Sequence, residues 1–70
     1  MTSKMSLKAA RVNKGMTQQD VARLLKMGRQ TICNIEKGRR KIDVKIFYKL
    51  CDIYDVDPRN ISLPKMSGET

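Results

Sequence analysis

Arg29, Gln30, Cys33 and Asn34 are the residues of this sequence best equipped to recognise a flat, hydrogen-bonding surface. Spaced i, i+1, i+4 and i+5, they fall on one side of a helix, opposite Ile32 and Ile35. The guanidinium of Arg29 can donate two bonds to the O6 and N7 of a guanine, and the amides of Gln30 and Asn34 can pair with the N6 and N7 of an adenine. Each such contact favours the right base by about 1–3 kcal/mol. Cys33 can touch a thymine methyl or act as an oxidisable thiol; its plainer reading is a small, tolerated residue. Thr31 suits a contact to the nucleic-acid backbone or to a thymine methyl. For the whole set the plain reading is a helix face turned to water.

Holding those side chains still requires a support, and the stretch Thr17–Gly38 supplies one as two short amphipathic helices joined by a tight turn. Thr17 is a good N-cap for the first of them. Asp20 takes the capping-box position, and Met16 and Val21 are placed as a hydrophobic staple. Val21, Ala22 and Leu25 form its apolar face, where Ala22 is small enough for a close crossing. Lys26-Met27-Gly28 is the turn. The second helix runs from Arg29 to Lys37 and packs Ile32 and Ile35 against the first.

This segment resembles the helix-turn-helix of the Cro/repressor (XRE-type) family of DNA-binding domains. The family's pattern is met at Gln18, Val21, Ala22, Ile32, Glu36 and Gly38, and the likeness extends from about Leu7 to Ile61. It departs in the turn: the family has Gly where this chain has Lys26, and Ser or Thr where it has Gly28. A side chain in a left-handed turn costs on the order of 1–2 kcal/mol, so a shifted turn with Gly28 as a weaker cap is expected. The resemblance implies that Gln18 bonds a DNA phosphate and braces the side chain opening the reading helix. It also implies that Arg11 in the first helix pairs with Glu36, a structural ion pair worth roughly 3–5 kcal/mol if one partner is removed.

The flanks complete an all-α bundle of five short helices over residues 6–63, with a loose arm at 1–5 and a disordered tail at 64–70. Ser6 caps a helix from Leu7 to Lys14 with Leu7 and Ala10 inward, and Gly15 ends it. Beyond Glu36, Lys37-Gly38-Arg39-Arg40-Lys41 is a basic loop whose natural use is phosphate neutralisation. Asp43 caps a fourth helix, with Ile42 and Phe47 as its staple and Phe47, Leu50, Cys51 and Tyr54 as its core face. Asp57-Pro58 is a cap followed by proline at the first helical position, so a short fifth helix burying Ile61 is expected.

The 70 residues carry a net charge of +8. Eight bases stand against two acids between Arg23 and Lys45, while Leu50–Asp57 holds three acids and no base. One face aimed at a polyanion follows from that asymmetry. With no His, no Gly-rich phosphate loop and only Cys33 and Cys51 as thiols, the chain lacks the parts for triad chemistry or a metal site. No cofactor, metal or small-molecule ligand is expected, nor an enzyme. The lack of a signal-peptide run or membrane-length segment points to the cytoplasm, as for a bacterial or phage-encoded protein.

The function this implies is a sequence-specific, double-stranded DNA-binding regulator of the Cro type. Arg29, Gln30, Cys33 and Asn34 would face bases, and Thr17, Gln18, Thr31, Arg39, Arg40 and Lys41 the DNA backbone. One small module buries little surface, so a homodimer on a pseudo-palindromic operator is expected, with reading helices roughly 34 Å apart. Val44, Val56 and Pro58 are candidates for the dimer contact, and Ile46 with Ile53 for a further exposed patch. An antitoxin or adaptor that uses the fold to hold a protein partner is the competing reading. A membrane-active basic peptide is a third, opposed by well-capped, acid-containing helices.

Overall fold

In the computed structural model, which describes residues 4–63, the chain folds as four α-helices and one 3-10 turn. They are α1 (Leu7–Asn13), α2 (Gln18–Leu25), α3 (Arg29–Lys37), α4 (Val44–Tyr54) and the turn Pro58–Asn60. The arrangement is all-helical, but with four helices rather than five. Where a fifth was expected, Pro58 does open a helical turn under an Asp57 cap. It stops after three residues because Ile61 adopts an extended backbone (φ −102°, ψ 130°). There Ile61 pairs in parallel with Met5. The Met5 amide donates to Asn60 O at 2.9 Å, and the Ser62 amide donates to Met5 O at 2.9 Å. Met5 is therefore tied to the domain, half-buried against the core, instead of belonging to a loose arm. Residues 1–3 and the expected tail at 64–70 lie outside the described residues.

Three of the four helices start at a capping side chain. The Ser6 hydroxyl accepts from Ala9 N at 3.0 Å. Thr17 and Asp20 form the full reciprocal box: Asp20 N donates to Thr17 Oγ1 at 3.0 Å, and Thr17 N donates to Asp20 Oδ2 at 2.9 Å. Those bonds hold the Asp20 carboxyl below its usual range. The Asp43 carboxylate accepts from Lys45 N at 3.0 Å. Helix α3 is the exception, because its N-cap is Gly28 and has no side chain to accept a bond.

The core joins all four helices: Leu7 and Ala10 from α1, Val21 and Ala22 from α2, Ile32 and Ile35 from α3, and Leu50, Cys51 and Tyr54 from α4, with Ile61. Val21 and Ala22 are wholly buried. That contact lets α2 and α3 cross closely, and these two helices form the most extensive pairing in the fold. Met27, in the turn between them, packs against the core with Leu25. Ile46 and Ile53 are also half-buried against it, so they do not form an exposed patch.

Candidate nucleic-acid interface

The turn that sets α3 on α2 is built around Lys26, whose backbone is left-handed (φ 56°, ψ 45°). There the Met27 amide reaches back to Ala22 O at 2.9 Å. The left-handed geometry is kept although the residue is not glycine. At the far end, Gly38 is left-handed (φ 75°) and closes α3, with the Arg39 amide bonded to Asn34 O at 2.9 Å. Between these two stops, α3 buries Ile32 and Ile35 and turns its other side outward.

On that outer side Arg29 and Gln30 are exposed, while Thr31, Cys33 and Asn34 are half-buried. Gln30 Nε2 donates to Asn34 Oδ1 at 3.3 Å. The pair is joined along the helix, leaving the Gln30 carbonyl oxygen and the Asn34 amide group free for a further acceptor–donor contact. Arg39, Arg40 and Lys41 are all exposed in the loop after α3. Thr17 is exposed too, its hydroxyl oxygen engaged by the capping box.

Behind the outer face lies a continuous chain of polar contacts. Arg11 Nε donates to Glu36 Oε2 at 2.7 Å, and Arg11 Nη2 donates to Glu36 Oε1 at 3.4 Å. Arg11 Nη1 also donates to Met16 O at 2.8 Å, which anchors the α1–α2 connection. Gln18 Nε2 then donates to Glu36 Oε1 at 3.0 Å. Finally, Arg29 Nη1 donates to Gln18 Oε1 at 3.2 Å. Four residues on three helices thus run from the interior to the first residue of α3. Tyr54 packs nearby, and burial, with Glu36 adding to it, pushes its hydroxyl up to about 12.

Gln18 and Arg29 are brought together, as are Arg11 and Glu36. The link between the two pairs, from Gln18 to Glu36, has no local signal in the sequence, whereas the i, i+4 spacing of Gln30 and Asn34 fits their bond. Val44, Val56 and Pro58 are not brought together along α4. Val44 is exposed at the helix start, and the other two are half-buried past its end. An 11-residue helix, about 16 Å long, separates them. Among the described residues no group of three or more His, Cys, Asp or Glu side chains is placed to hold a metal ion, and no helix is long and apolar enough to cross a membrane.

Comparison with known families bears on the same elements. The model of a helix-turn-helix family matches residues 7–61, from the first residue of α1 to the bridge at Ile61. The chain belongs to the XRE-type helix-turn-helix family. A relative in the archaeon Methanocaldococcus jannaschii, described as an uncharacterized HTH-type transcriptional regulator, is 36% identical over 58 residues, which is 83% of this chain and 88% of the relative. No solved structure matches. In helix-turn-helix terms α2 is the supporting helix and α3 the second helix of the motif. The Gln18–Arg29 contact joins the first residues of these two helices.

Proposed function

We propose that this protein is a sequence-specific, double-stranded DNA-binding transcriptional regulator. It places α3 in the major groove, reading bases with Arg29, Gln30, Asn34 and Cys33. The observation that carries this reading is the outer face of α3, where unburied guanidinium and amide groups stand on a helix braced from behind through Gln18. Side chains held in that way lose little freedom on binding, which favours a defined bonding pattern over loose charge contact.

Around this face the phosphate contacts fall to Thr17, Gln18, Thr31, Arg39, Arg40 and Lys41. Such contacts supply most of the affinity and its salt dependence but no sequence information. The protein acts as a homodimer on a pseudo-palindromic operator, and occupancy alone blocks polymerase or a competing regulator, as in Cro-type repression. Its place of action is the cytoplasm of a prokaryotic cell, where the operator is.

Selection of bound duplexes from a random pool tests the reading. Winners with two related half-sites about one helical turn apart support a two-fold dimer. Winners with a single half-site remove the dimer and leave the regulator, and no enrichment at all removes the function.

The competing reading, an antitoxin or adaptor, draws on one feature. A groove of about 490 Å³ lies between α2 and α4, lined by Leu24, Leu25, Lys26, Lys49, Asp52 and Ile53. That reading expects weak DNA binding at moderate salt and co-purification with a small protein.

A further inference from the structure

We infer that Glu36 is a positioning residue for base reading, because its carboxylate fixes which end of the Gln18 amide faces Arg29. This rests on the proposed function and adds to it a residue whose carboxylate is enclosed behind the outer face of α3.

A carboxylate only accepts hydrogen bonds, whereas an amide has a donor end and an acceptor end. Glu36 Oε1 lies 3.0 Å from Gln18 Nε2, so the NH2 of Gln18 is committed to Glu36. The second N–H of that NH2 stays available to a phosphate, and the amide oxygen is turned to the start of α3, where Arg29 Nη1 donates to it at 3.2 Å. With the amide reversed, two donors would meet at Arg29 and two acceptors at Glu36, and both contacts would fail. Glu36 cannot itself swing away. Its side chain is 5% exposed and its other oxygen is held by Arg11 Nε at 2.7 Å.

The consequence reaches the outer face. With Nη1 bonded to Gln18, the guanidinium of Arg29 is restrained at one nitrogen and keeps its remaining donors for a base. A guanine offers O6 and N7 to such a fork, and no other base offers that pair of acceptors in the major groove. The acceptor at Gln18 also selects a donor at position 29. The buried ion pair thus sets, at two removes, which base α3 prefers at one position.

The experiment compares the duplex won from a random pool with its three substitutions at the base pair whose preference Arg29→Ala abolishes. Two variants are measured. Glu36→Gln gives Gln18 a neighbour that can donate as well as accept. Gln18→Met removes the bridge and leaves the Arg11–Glu36 pair whole, so it reports even if Glu36→Gln fails to fold. Each should lose about tenfold or more in discrimination at that base pair. Discrimination at the other positions should stay within a factor of about two, and neither variant should change it further in the Arg29→Ala background.

A loss spread evenly over all duplexes and following the fall in melting temperature would make Glu36 purely structural and overturn the inference. Unchanged discrimination in Gln18→Met would overturn it as well, while leaving the proposed function intact. If the native protein binds the winning duplex no better than a scrambled one, the proposed function falls first and takes the inference with it.

Discussion

Glu36 Oε2 lies 2.7 Å from Arg11 Nε, with 5% of the glutamate side chain and 10% of the arginine exposed. Removing one partner leaves the other charge in a place water barely reaches. Arg11→Ala should cost roughly 3–5 kcal/mol and also frees Met16 O from its bond at 2.8 Å. Chains of this size have only about 4–10 kcal/mol in hand, at 0.05–0.15 kcal/mol per residue, so much of the population should unfold near physiological temperature. Replacing both partners, as Arg11→Met with Glu36→Leu, should recover most of the loss, because packed apolar groups of similar volume replace such pairs at little cost. Urea denaturation of the two single variants and the double variant checks this, and additive losses would exclude a coupled pair.

A second prediction concerns the turn between α2 and α3. Lys26 holds φ 56° with a Cβ present, a conformation costing on the order of 1–2 kcal/mol. Lys26→Gly relieves that strain and loses part of the gain to the greater freedom of glycine when unfolded, leaving up to about 1 kcal/mol. Gly28 is the opposite case: its backbone (φ −75°, ψ 148°) suits any N-cap residue. A Cβ added there meets nothing closer than Thr31 Oγ1 at 3.9 Å. Gly28→Ser should therefore add a few tenths of a kcal/mol by giving α3 the cap it lacks. Melting temperatures should rise for both, by about 4–8 °C per kcal/mol, and a fall in either would mean the turn is held by something other than local geometry.

These cases mark how far the sequence could be read. Ser6, Thr17 with Asp20, Asp43, Asp57-Pro58 and Gly38 act on backbone one to three residues away, and their types alone place the starts of α1, α2 and α4, the start of the 3-10 turn and the end of α3. The strain at Lys26 was readable for the same reason. The bridge between Met5 and Ile61 was not, because it joins positions 56 apart and neither residue carries a local signal for it. Missing that bridge is what turned a three-residue 3-10 turn into an expected fifth helix. At the site, the composition of the α3 face followed from helical spacing. The Gln18–Glu36 bond did not, since it depends on how far two side chains reach across a crossing that only the packed fold defines.

Arg29 and Arg40 are both exposed cations, yet they should behave differently. Arg29 opens α3 with its guanidinium oriented by Gln18, so Arg29→Ala should lose about 1–3 kcal/mol of preference at one base pair. Arg40 sits in the basic loop, where it makes no side-chain bond among the described residues and suits phosphate contact. Arg40→Ala should weaken all duplexes alike and make the salt dependence shallower by about 0.9 in log–log slope. Affinities over a series of salt concentrations, for the selected duplex and its point variants, separate the two. Interchangeable behaviour would mean that α3 does not enter the groove by its front end.

At high pH the buried Tyr54 hydroxyl, together with the buried Cys51 thiol, should add to the loss of stability. Burial, reinforced by Glu36, raises the Tyr54 hydroxyl to about 12, against an ordinary value of 10.0. A folded-state value above the unfolded one means that the neutral form is favoured in the fold. The contribution of Tyr54 is complete below about pH 10 and is lost as pH rises toward about 12. Tyr54→Phe cannot ionise and should unfold less steeply over that window. Absorbance titration of the phenolate should show a late step that disappears in the variant; its persistence would mean that Tyr54 is not the group responsible.

The two thiols offer a direct probe of which face meets DNA. Cys33 is half-buried on the outer side of α3, while Cys51 is buried at 2% exposure. Burial, with Asp52 and Asp57 nearby, pushes the Cys51 thiol up, which lowers its thiolate fraction further. An alkylating reagent should therefore label one thiol per chain quickly, and Cys33→Ser should abolish the fast phase. If α3 lies in the major groove, a saturating amount of selected duplex should slow that labelling about tenfold or more, and prior labelling should weaken binding by filling the groove side of the helix. A scrambled duplex at moderate salt should protect much less. Equal labelling with and without the selected duplex, under conditions where the complex is demonstrably formed, would put α3 outside the contact and move the interface to another surface of the domain.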